Sequence, residues 1–456
     1  MSKGAPKKVR APRSRLASLA GAVGALLALG AAEGQGCEAG GWVPIGSDLP
    51  DRPGTAPALR IAGGGDFSCA LEHDERVRCW GSNQVGQLGL DREIVGDAIE
   101  SVPSEPVEAA EGGLLEGVKQ IALGDREACA RLTGGGLRCW GLDQNAPTSR
   151  RARAAPVLDA QGRPIEGVRQ IALGVSHACA LLEDGTMRCW GTDTKGELGD
   201  DRAELTTRAA VAVIGEGGVP FGGVRAIALG DGFSCALLDD RSVRCWGYNG
   251  AGELGQGVLG VDTSQARPGG PVVDPQGAPL AGVRSIDARG ARACALLDGG
   301  TLSCWGGGFL GDGRAEKRAS AAPVLLESGA ELRGVAQVAL GDLHGCARLE
   351  TGGARCWGDG YVGQIGDGVS LRAQALFPVS VVGPAGSPLG GIRQLGVGRF
   401  HGCAWLDDGS VRCWGNNERG QLGNGVSGSG RLQRFPAPEQ VLGLTLLEHA
   451  GERTPG

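Results

Sequence analysis

The sequence predicts an all-β protein, specifically a seven-bladed β-propeller of four-stranded antiparallel blades, and three observations carry that expectation. First, two cysteines ten positions apart, the second opening a Cys-Trp-Gly end, recur seven times: Cys69 with Cys79, Cys129 with Cys139, Cys179 with Cys189, Cys235 with Cys245, Cys294 with Cys304, Cys346 with Cys356 and Cys403 with Cys413. Second, the first cysteines recur every 50 to 60 residues, room for four strands of about five or six residues plus loops. Third, the strands are apolar with little alternation, so each sheet must bury both faces, and a closed ring of twisted sheets does this while protecting the edges. An open β-solenoid has shorter coils and would not place a local hairpin in every repeat.

In chain order, residues 1–36 read as an export signal or lipoprotein signal. Lys3, Lys7, Lys8, Arg10, Arg13 and Arg15 precede the alanine-rich apolar run from Leu16 to Ala32, after which cleavage is expected. The run is shorter than the ~20 residues a membrane-spanning helix prefers, so a signal anchor is the lesser reading. Cys37 offers possible lipidation. Against it, Gly34 stands where a lipobox carries an aliphatic residue, and the plain alternative is a linker thiol. Residues 37–58, with Pro44, Pro50, Pro53 and Pro57, form a linker; 59–444 form the propeller; 445–456 form a tail. Without residues 1–36 the formal charge falls from -6 to -11, which leaves no net positive charge for a phosphate-binding surface and disfavours nucleic acid as a partner.

Blade three shows how one unit is built. Ala178 to Leu182 and Thr186 to Trp190 flank Glu183-Asp184-Gly185, a hairpin loop with glycine in the left-handed position. Folding about Asp184 sets Cys179 opposite Cys189 and Leu181 opposite Met187. Directly opposed positions lie within disulfide reach, whereas a one-residue slip would separate the thiols to opposite faces. Seven intrablade disulfides are expected, with reduced core cysteines as the alternative. Zinc is disfavoured because each pair supplies two ligands without short Cys-x2–4-Cys spacing.

The remaining grammar of a unit is a Val/Ile strand before the hairpin, a Trp-Gly turn after it, a variable insert and a Pro-Val strand. Those last strands are expected at Pro106-Val107, Pro156-Val157, Val211 to Ile214, Pro271-Val272, Pro323-Val324, Pro378-Val379 and Pro438 to Leu444. The seven repeat tryptophans are packing anchors. The first strand lies near Leu59 to Ala62, and the terminal strand is expected to complete the blade that the first hairpin begins.

Candidate sites are few. His177, His344 and His401 stand two residues before a first cysteine, where other copies have Phe67, Glu127, Phe233 and Arg292; hydrogen bonding within each blade is expected rather than a metal site. His73 and His449 invite no catalytic reading. Arg78, Arg138, Arg188, Arg244, Arg355 and Arg412 precede the second cysteine in six copies, with Ser303 the exception. They could ring an anion, but pairing with carboxylates or carbonyls is the expected use. No G-x-S-x-G, P-loop or H-E-x-x-H motif occurs, so no catalytic residue, cofactor or metal is expected.

Two stretches carry a family resemblance: Trp80 to Gly89, WGSNQVGQLG, and Trp414 to Gly423, WGNNERGQLG, each after a Gly-x-x-[His/Phe]-x-Cys-Ala strand. These resemble repeats of the regulator of chromosome condensation family over Leu59 to about Leu444. Trp190 to Gly199, Trp246 to Gly255 and Trp357 to Gly366 follow the pattern. Repeat two departs after Asp143 and repeat five is shortened to Trp305 to Gly311, so atypical rims are expected there. The resemblance implies a seven-bladed propeller. The paired cysteines and export signal resemble a bacterial extracytoplasmic branch.

The leading functional expectation is a non-enzymatic, monomeric, extracytoplasmic scaffold that binds a protein or a cell-surface glycan, touching a membrane only through an N-terminal lipid or anchor. The alternatives are a secreted enzyme inhibitor and, by family resemblance, a guanine-nucleotide exchange factor, which would demand cytosolic residence. Binding is expected on the variable inserts 90–117, 142–167, 200–223, 256–282, 312–334 and 367–391, which should emerge together on one slightly acidic face.

Overall fold

A computed structural model describes residues 60–91, 98–142, 150–383, 386–428 and 433–444. The expected export signal, Cys37, the linker and the C-terminal tail lie outside the described residues. The described chain forms seven antiparallel blades whose strands follow one another in sequence from the inner to the outer edge. Blade three is representative, with Val168–Leu173, His177–Leu182, Met187–Asp193 and Glu204–Ala212 side by side. Blade four has three strands, and its outer position is held by the bridges Gly247↔Gln265 and Arg244↔Pro271. The inner strands, from Arg60–Gly63 in blade one to Ile392–Val397 in blade seven, line an axial channel.

The hairpin register is the one the sequence dictates: Cys179 opposes Cys189 and Leu181 opposes Met187, and all seven hairpins repeat the cysteine pairing. The outer strands begin earlier than the Pro-Val dipeptides. They run Arg150–Pro156, Arg318–Pro323 and Gln374–Ser380, with Pro-Val at or near the C-terminal end. Proline lacks the ladder N–H, and an outer edge strand tolerates that.

Packing is organised at the seams between blades. Each hydrophobic cluster joins the cysteine pair of one blade to the tryptophan of the next. Cys69 and Cys79 pack with Trp140, Cys129 and Cys139 with Trp190, and Cys179 and Cys189 with Trp246. Cys294 and Cys304 pack with Trp357, Cys346 and Cys356 with Trp414, and Cys403 and Cys413 with Trp80. In the remaining seam, Cys235 and Cys245 share a cluster with Trp305. All seven repeat tryptophans are fully buried. Each contributes at most about 5 kcal/mol of transfer free energy on area grounds. Backbone brackets join the inner strands: Gln120 accepts from Ile171 N–H and donates to its carbonyl, and Gln170 and Gln337 do the same for Ile227 and Leu395.

Ring closure differs from the expectation. The terminal strand, Arg434–Gln440, completes blade seven against Val411–Asn416 and adds nothing to the sheet of blade one. Blades seven and one instead meet as any neighbours do. Gln394 Oε1 accepts from Ile61 N–H at 3.1 Å, and Ile61, Trp80 and Val441 share a cluster with Cys403 and Cys413. The repeat frame and the blade frame coincide because each repeat begins with its own inner strand, so no strand is left over to exchange.

Candidate functional site

Antiparallel blades place their connections on two opposite faces. One face receives the turns between inner and second strands, such as Gly64 to Asp66, and the segments between third and outer strands. The other receives the hairpin tips and the connectors between blades. Each expected insert is therefore divided. In blade three, 194–203 lies on the first face, called here the insert face; the outer strand then crosses the sheet, and 213–223 lies on the opposite one. The expectation of a single face held for the first half only, since an outer strand was already counted inside each insert. The second halves are small bridged loops, Leu158↔Pro164, Ile214↔Pro220, Val273↔Pro279 and Val382↔Pro388 among them, and they are the more uniform part.

The insert face rests on a repeated turn. Asn83 Oδ1 accepts from Leu88 N–H, Asn249 from Leu254 and Asn417 from Leu422, while the turn's fifth residue offers its carbonyl to the next blade's tryptophan. Trp80 donates to Gln421, Trp140 to Gln87, Trp246 to Glu197, Trp305 to Glu253 and Trp414 to Gln364, at 2.9–3.0 Å. In blade three the first turn position is Asp193, beside Asp200 and Glu197. Burial first, then those two carboxylates, push Asp193 up to about 7 against the Leu198 N–H that it accepts.

All seven cysteine pairs stand at bonding distance, with S–S lengths of 2.02 to 2.12 Å and Cα atoms 4.0–4.1 Å apart. The bonds join Cys69 to Cys79, Cys129 to Cys139, Cys179 to Cys189 and Cys235 to Cys245. In the last three blades they join Cys294 to Cys304, Cys346 to Cys356 and Cys403 to Cys413, so every described cysteine bonds within its own hairpin. Among the described residues one cluster has metal-ligand proximity, Glu127, Cys129 and Cys139, and the disulfide occupies both of its sulfurs.

The three histidines do not converge, and the bonds they make run between blades rather than within them. His177 Nε2 meets Ser234 Oγ of blade four at 2.9 Å, and His401 Nε2 meets Ser68 Oγ of blade one at the same distance. For His344 the next blade offers Gly402 where the serine would stand, and neither ring nitrogen has a hydrogen-bond partner among the described residues. Burial pushes all three imidazoles down to about 3, so they are neutral. Five of the six arginines before the second cysteine serve separate carbonyls and carboxylates: Arg78 binds Glu72 and Ser104, Arg138 binds Glu111, Arg188 binds Met187, Arg244 binds Gly269, and Arg355 binds Pro378. With these separate partners they form no common anion site among the described residues.

The channel mouth on the insert face holds a network that sequence reasoning missed. Arg289 donates to Asp342 at 3.1 Å and reaches the Gly63 carbonyl across the axis at 3.5 Å. Arg399 pairs with Asp342 at 3.2 Å and Asp125 at 3.7 Å. Asp66 is raised by burial and then by Asp125, and Asp231 by burial and then by Asp342. Below the mouth the channel encloses about 110 Å³, lined in part by Asp287 of blade five, which accepts from Leu340 N–H; burial pushes its carboxyl up to about 7. A signal was available in repeat register. Arg289 stands where the other copies have Gly64, Gly124, Gly174, Gly230, Gly341 and Gly398, and Asp287 stands where they have alanine or glycine.

The family model for the regulator of chromosome condensation (RCC1) repeat matches residues 60–87, 168–197, 224–253, 335–364 and 392–421, which are blades one, three, four, six and seven. Blades two and five, which depart from the pattern in sequence, are not among the matched segments. The chain is similar to the E3 ubiquitin-protein ligase HERC2 of Homo sapiens, 32% identical over 45% of this chain and 4% of that protein. It is also similar to the mitochondrial RCC1 domain-containing protein RUG3 of Arabidopsis thaliana, 30% identical over 48% of this chain and 47% of that protein. It thus spans a small fraction of the first relative and about half of the second. Among solved structures, human WBSCR16 superposes with a TM-score of 0.63 at 20% identity, covering 80% of this chain and 93% of that one, which speaks for the fold.

Proposed function

Starting from a chain that carries regulator of chromosome condensation repeats on a seven-bladed propeller, we propose that it is a non-enzymatic, extracytoplasmic interaction scaffold that recognises a protein partner on its insert face. The observation that carries this reading is the division of labour between the faces. The segments that vary in length and residue type, such as 200–203, 256–264 and 312–317, all join third to outer strands and so share one face. They stand on seams locked by buried tryptophans and cross-linked hairpins, the rigid base that recognition loops require. Cross-linking in every blade favours an oxidising compartment, consistent with the basic and apolar N-terminal segment. The ligase activity that the name of one relative states is not carried over, since the matched part is a small fraction of that protein.

Three measurements test this. Residues 1–40 fused to a reporter that is active only after export should give signal; a reporter left in the cytosol sinks the compartment. Non-reducing peptide mapping of exported protein should recover the seven bonds from Cys69–Cys79 through Cys403–Cys413, and links between repeats, or free pairs, would overturn the assignment. Gly-Ser replacement of insert-face segments 200–203 and 256–264 should weaken capture of partners from the native envelope or culture fluid. Replacing the opposite-face loops 159–163 and 274–278 should leave capture unchanged, and the reverse pattern moves recognition to the other face.

A further inference from the structure

Blade five departs from the repeat inside the axial channel. Asp287 stands where the other copies have Ala62, Ala122, Ala172, Ala228, Ala339 and Gly396, so one carboxyl enters a chamber otherwise lined by small and aliphatic residues, Gln170 and Arg289. Asp287 is half-buried, and the surface it keeps open faces the chamber of about 110 Å³ that it lines. A carboxylate offers about four lone-pair sites. The N–H groups of Leu340 and Ala288 take two of them, which leaves acceptor capacity for an occupant. Arg289, the other charged side chain of the lining, is engaged at the mouth by Asp342 and the Gly63 carbonyl. The wall adds backbone groups. Gly174, Gly230 and Gly398 bond back into their own sheets, whereas Ile171, Ile227 and Leu395 offer N–H and carbonyl to a glutamine of the neighbouring blade. Alternate residues of a strand turn the same way, so Leu173, Leu229 and Val397, two positions after the bracketed ones, turn their carbonyls away from their sheets toward the channel they line.

We propose that this chamber is a binding site for one small organic cation, a primary ammonium on a short alkyl chain, with Asp287 as its counter-ion. The site goes beyond the interaction reading above and does not depend on it. The lining selects the class of ligand. An ammonium brings three N–H donors and no acceptor, one donor for the carboxylate and the others for wall carbonyls. Its alkyl part lies against Ile171, Ile227 and Ile286. A divalent metal ion would ask for several oxygen ligands at close range, and among the described residues Asp287 belongs to no cluster with metal-ligand proximity. An anion would meet a carboxylate in a chamber whose guanidinium is taken. Size narrows the choice: a cavity of ~150 Å³ holds benzene, so about 110 Å³ takes about four or five non-hydrogen atoms. A partner's lysine carries the same ammonium, but the Arg289 bridge stands between the chamber and the face where a partner would sit. The 3.5 Å contact of Arg289 with the Gly63 carbonyl, long for a hydrogen bond, is the part of the mouth that opens to admit a free cation.

Propylammonium chloride titrated into the mature propeller at low salt and pH 8, read by ligand-observed NMR, should show saturable binding at one site. Asp287→Ala, which installs the residue that five other blades carry, and Asp287→Asn, which keeps the shape without the charge, should each weaken it at least tenfold. Both should melt within a few degrees of the parent. Asp231→Asn, at the mouth and outside the chamber, should change affinity less than twofold. The pH profile gives a second readout. The charged groups on the strands around Asp287 are Arg284 and Arg289 on its own strand, Arg292 on the strand paired with it and Arg225 on the inner strand of blade four; the inner strand of blade six has none. Burial, opposed in part by Arg289, holds the Asp287 carboxyl at about 7, so the form that binds a cation is present above that pH and lost below it. From pH 8 to pH 6 the ionised fraction falls about tenfold, and affinity should fall with it. No saturable binding at pH 8, full binding in both Asp287 variants, or a flat pH profile overturns the site. Acetate binding in place of propylammonium overturns the charge argument, and Nα-acetyl-lysine amide binding as tightly as propylammonium moves the ammonium to an open surface and overturns the chamber.

Discussion

Two tryptophans at the same repeat position provide a measurement of what holds the seams. Trp414 and Trp357 are both fully buried, and both follow a strand with glycine before its first cysteine, Gly402 and Gly345. Trp414 Nε1 donates to the Gln364 carbonyl at 3.0 Å, whereas Trp357 Nε1 has no acceptor among the described residues. The cause of the difference is local: the shortened turn of blade five sets Phe309 at φ +54°, and its carbonyl accepts from Arg292 Nη1 instead. Trp→Phe at either site removes about the same ring area, worth ~1–2 kcal/mol with the small cavity included. At Trp414 it also strands a buried carbonyl, costing about 1–3 kcal/mol more, while at Trp357 it removes a donor that was already unsatisfied. We expect Trp414→Phe to be the more destabilising by about 2–3 kcal/mol. Guanidinium unfolding with disulfides intact, followed by circular dichroism and checked for two-state behaviour, reads the gap. Costs that agree within ~0.5 kcal/mol, or a larger cost at Trp357, would refute the claim that these seam bonds hold the ring.

Two further outcomes follow from the seams. His344→Phe should be tolerated or stabilising by about 1 kcal/mol, because Phe67 and Phe233 fill that position in blades one and four, and Gly341 leaves room for the ring as Gly64 and Gly230 do. The substitution should also flatten the acid limb: a buried imidazole lowered to about 3 from 6.5 favours folding above pH 6.5 and withdraws that stability as pH falls toward 3, so an unchanged slope in that window would contradict it. Deleting residues 434–456 should destabilise blade seven without opening the ring, because Ile61 and Gln394 meet independently of the outer strand. Hydrogen exchange at residues 60–63 is the readout, and fast exchange there alongside a folded blade two would show that the terminal strand closes the ring after all.

Much of the architecture was legible because it is written seven times. A cysteine spacing of ten across a short turn fixes a hairpin register, and seven such hairpins fix the number of blades. Strand order was harder to read. The terminal strand could complete either the first or the last blade in sequence, and the choice rests on Gln394, whose bracket to Ile61 makes the seventh seam like the others without a shared strand. The faces were misjudged although the strands were marked: each insert as bounded, 142–167 with its Pro156-Val157 strand for one, contains the outer strand that carries the chain across the sheet. The histidine role failed because Ser68 and Ser234 lie one repeat away from their partners, and only the ring brings them together.

Blade five shows why its departures from the repeat belong together. Blade five lacks the bracketing glutamine, which is Ser285 there, and Asp287, two residues on, makes a seam bond of its own by accepting from Leu340 N–H. Losing the small residue that makes room for a ring lets Arg289 stand where glycine would be, and the ring position is itself an arginine, Arg292, which takes the Phe309 and Asp342 carbonyls. The two changes are coupled. An arginine at the glycine position would collide with the aromatic ring three residues later in most other blades, where a Cβ alone would come within 2.2 Å of the Phe67 ring or 2.1 Å of the His401 ring. Together they place a guanidinium across the axis, anchored by Asp342, above a channel of about 110 Å³. A chamber of that volume behind a bridged mouth has no room for a partner's backbone from the insert side. The rim of the insert face, rather than the channel, is therefore the surface left to the recognition proposed above.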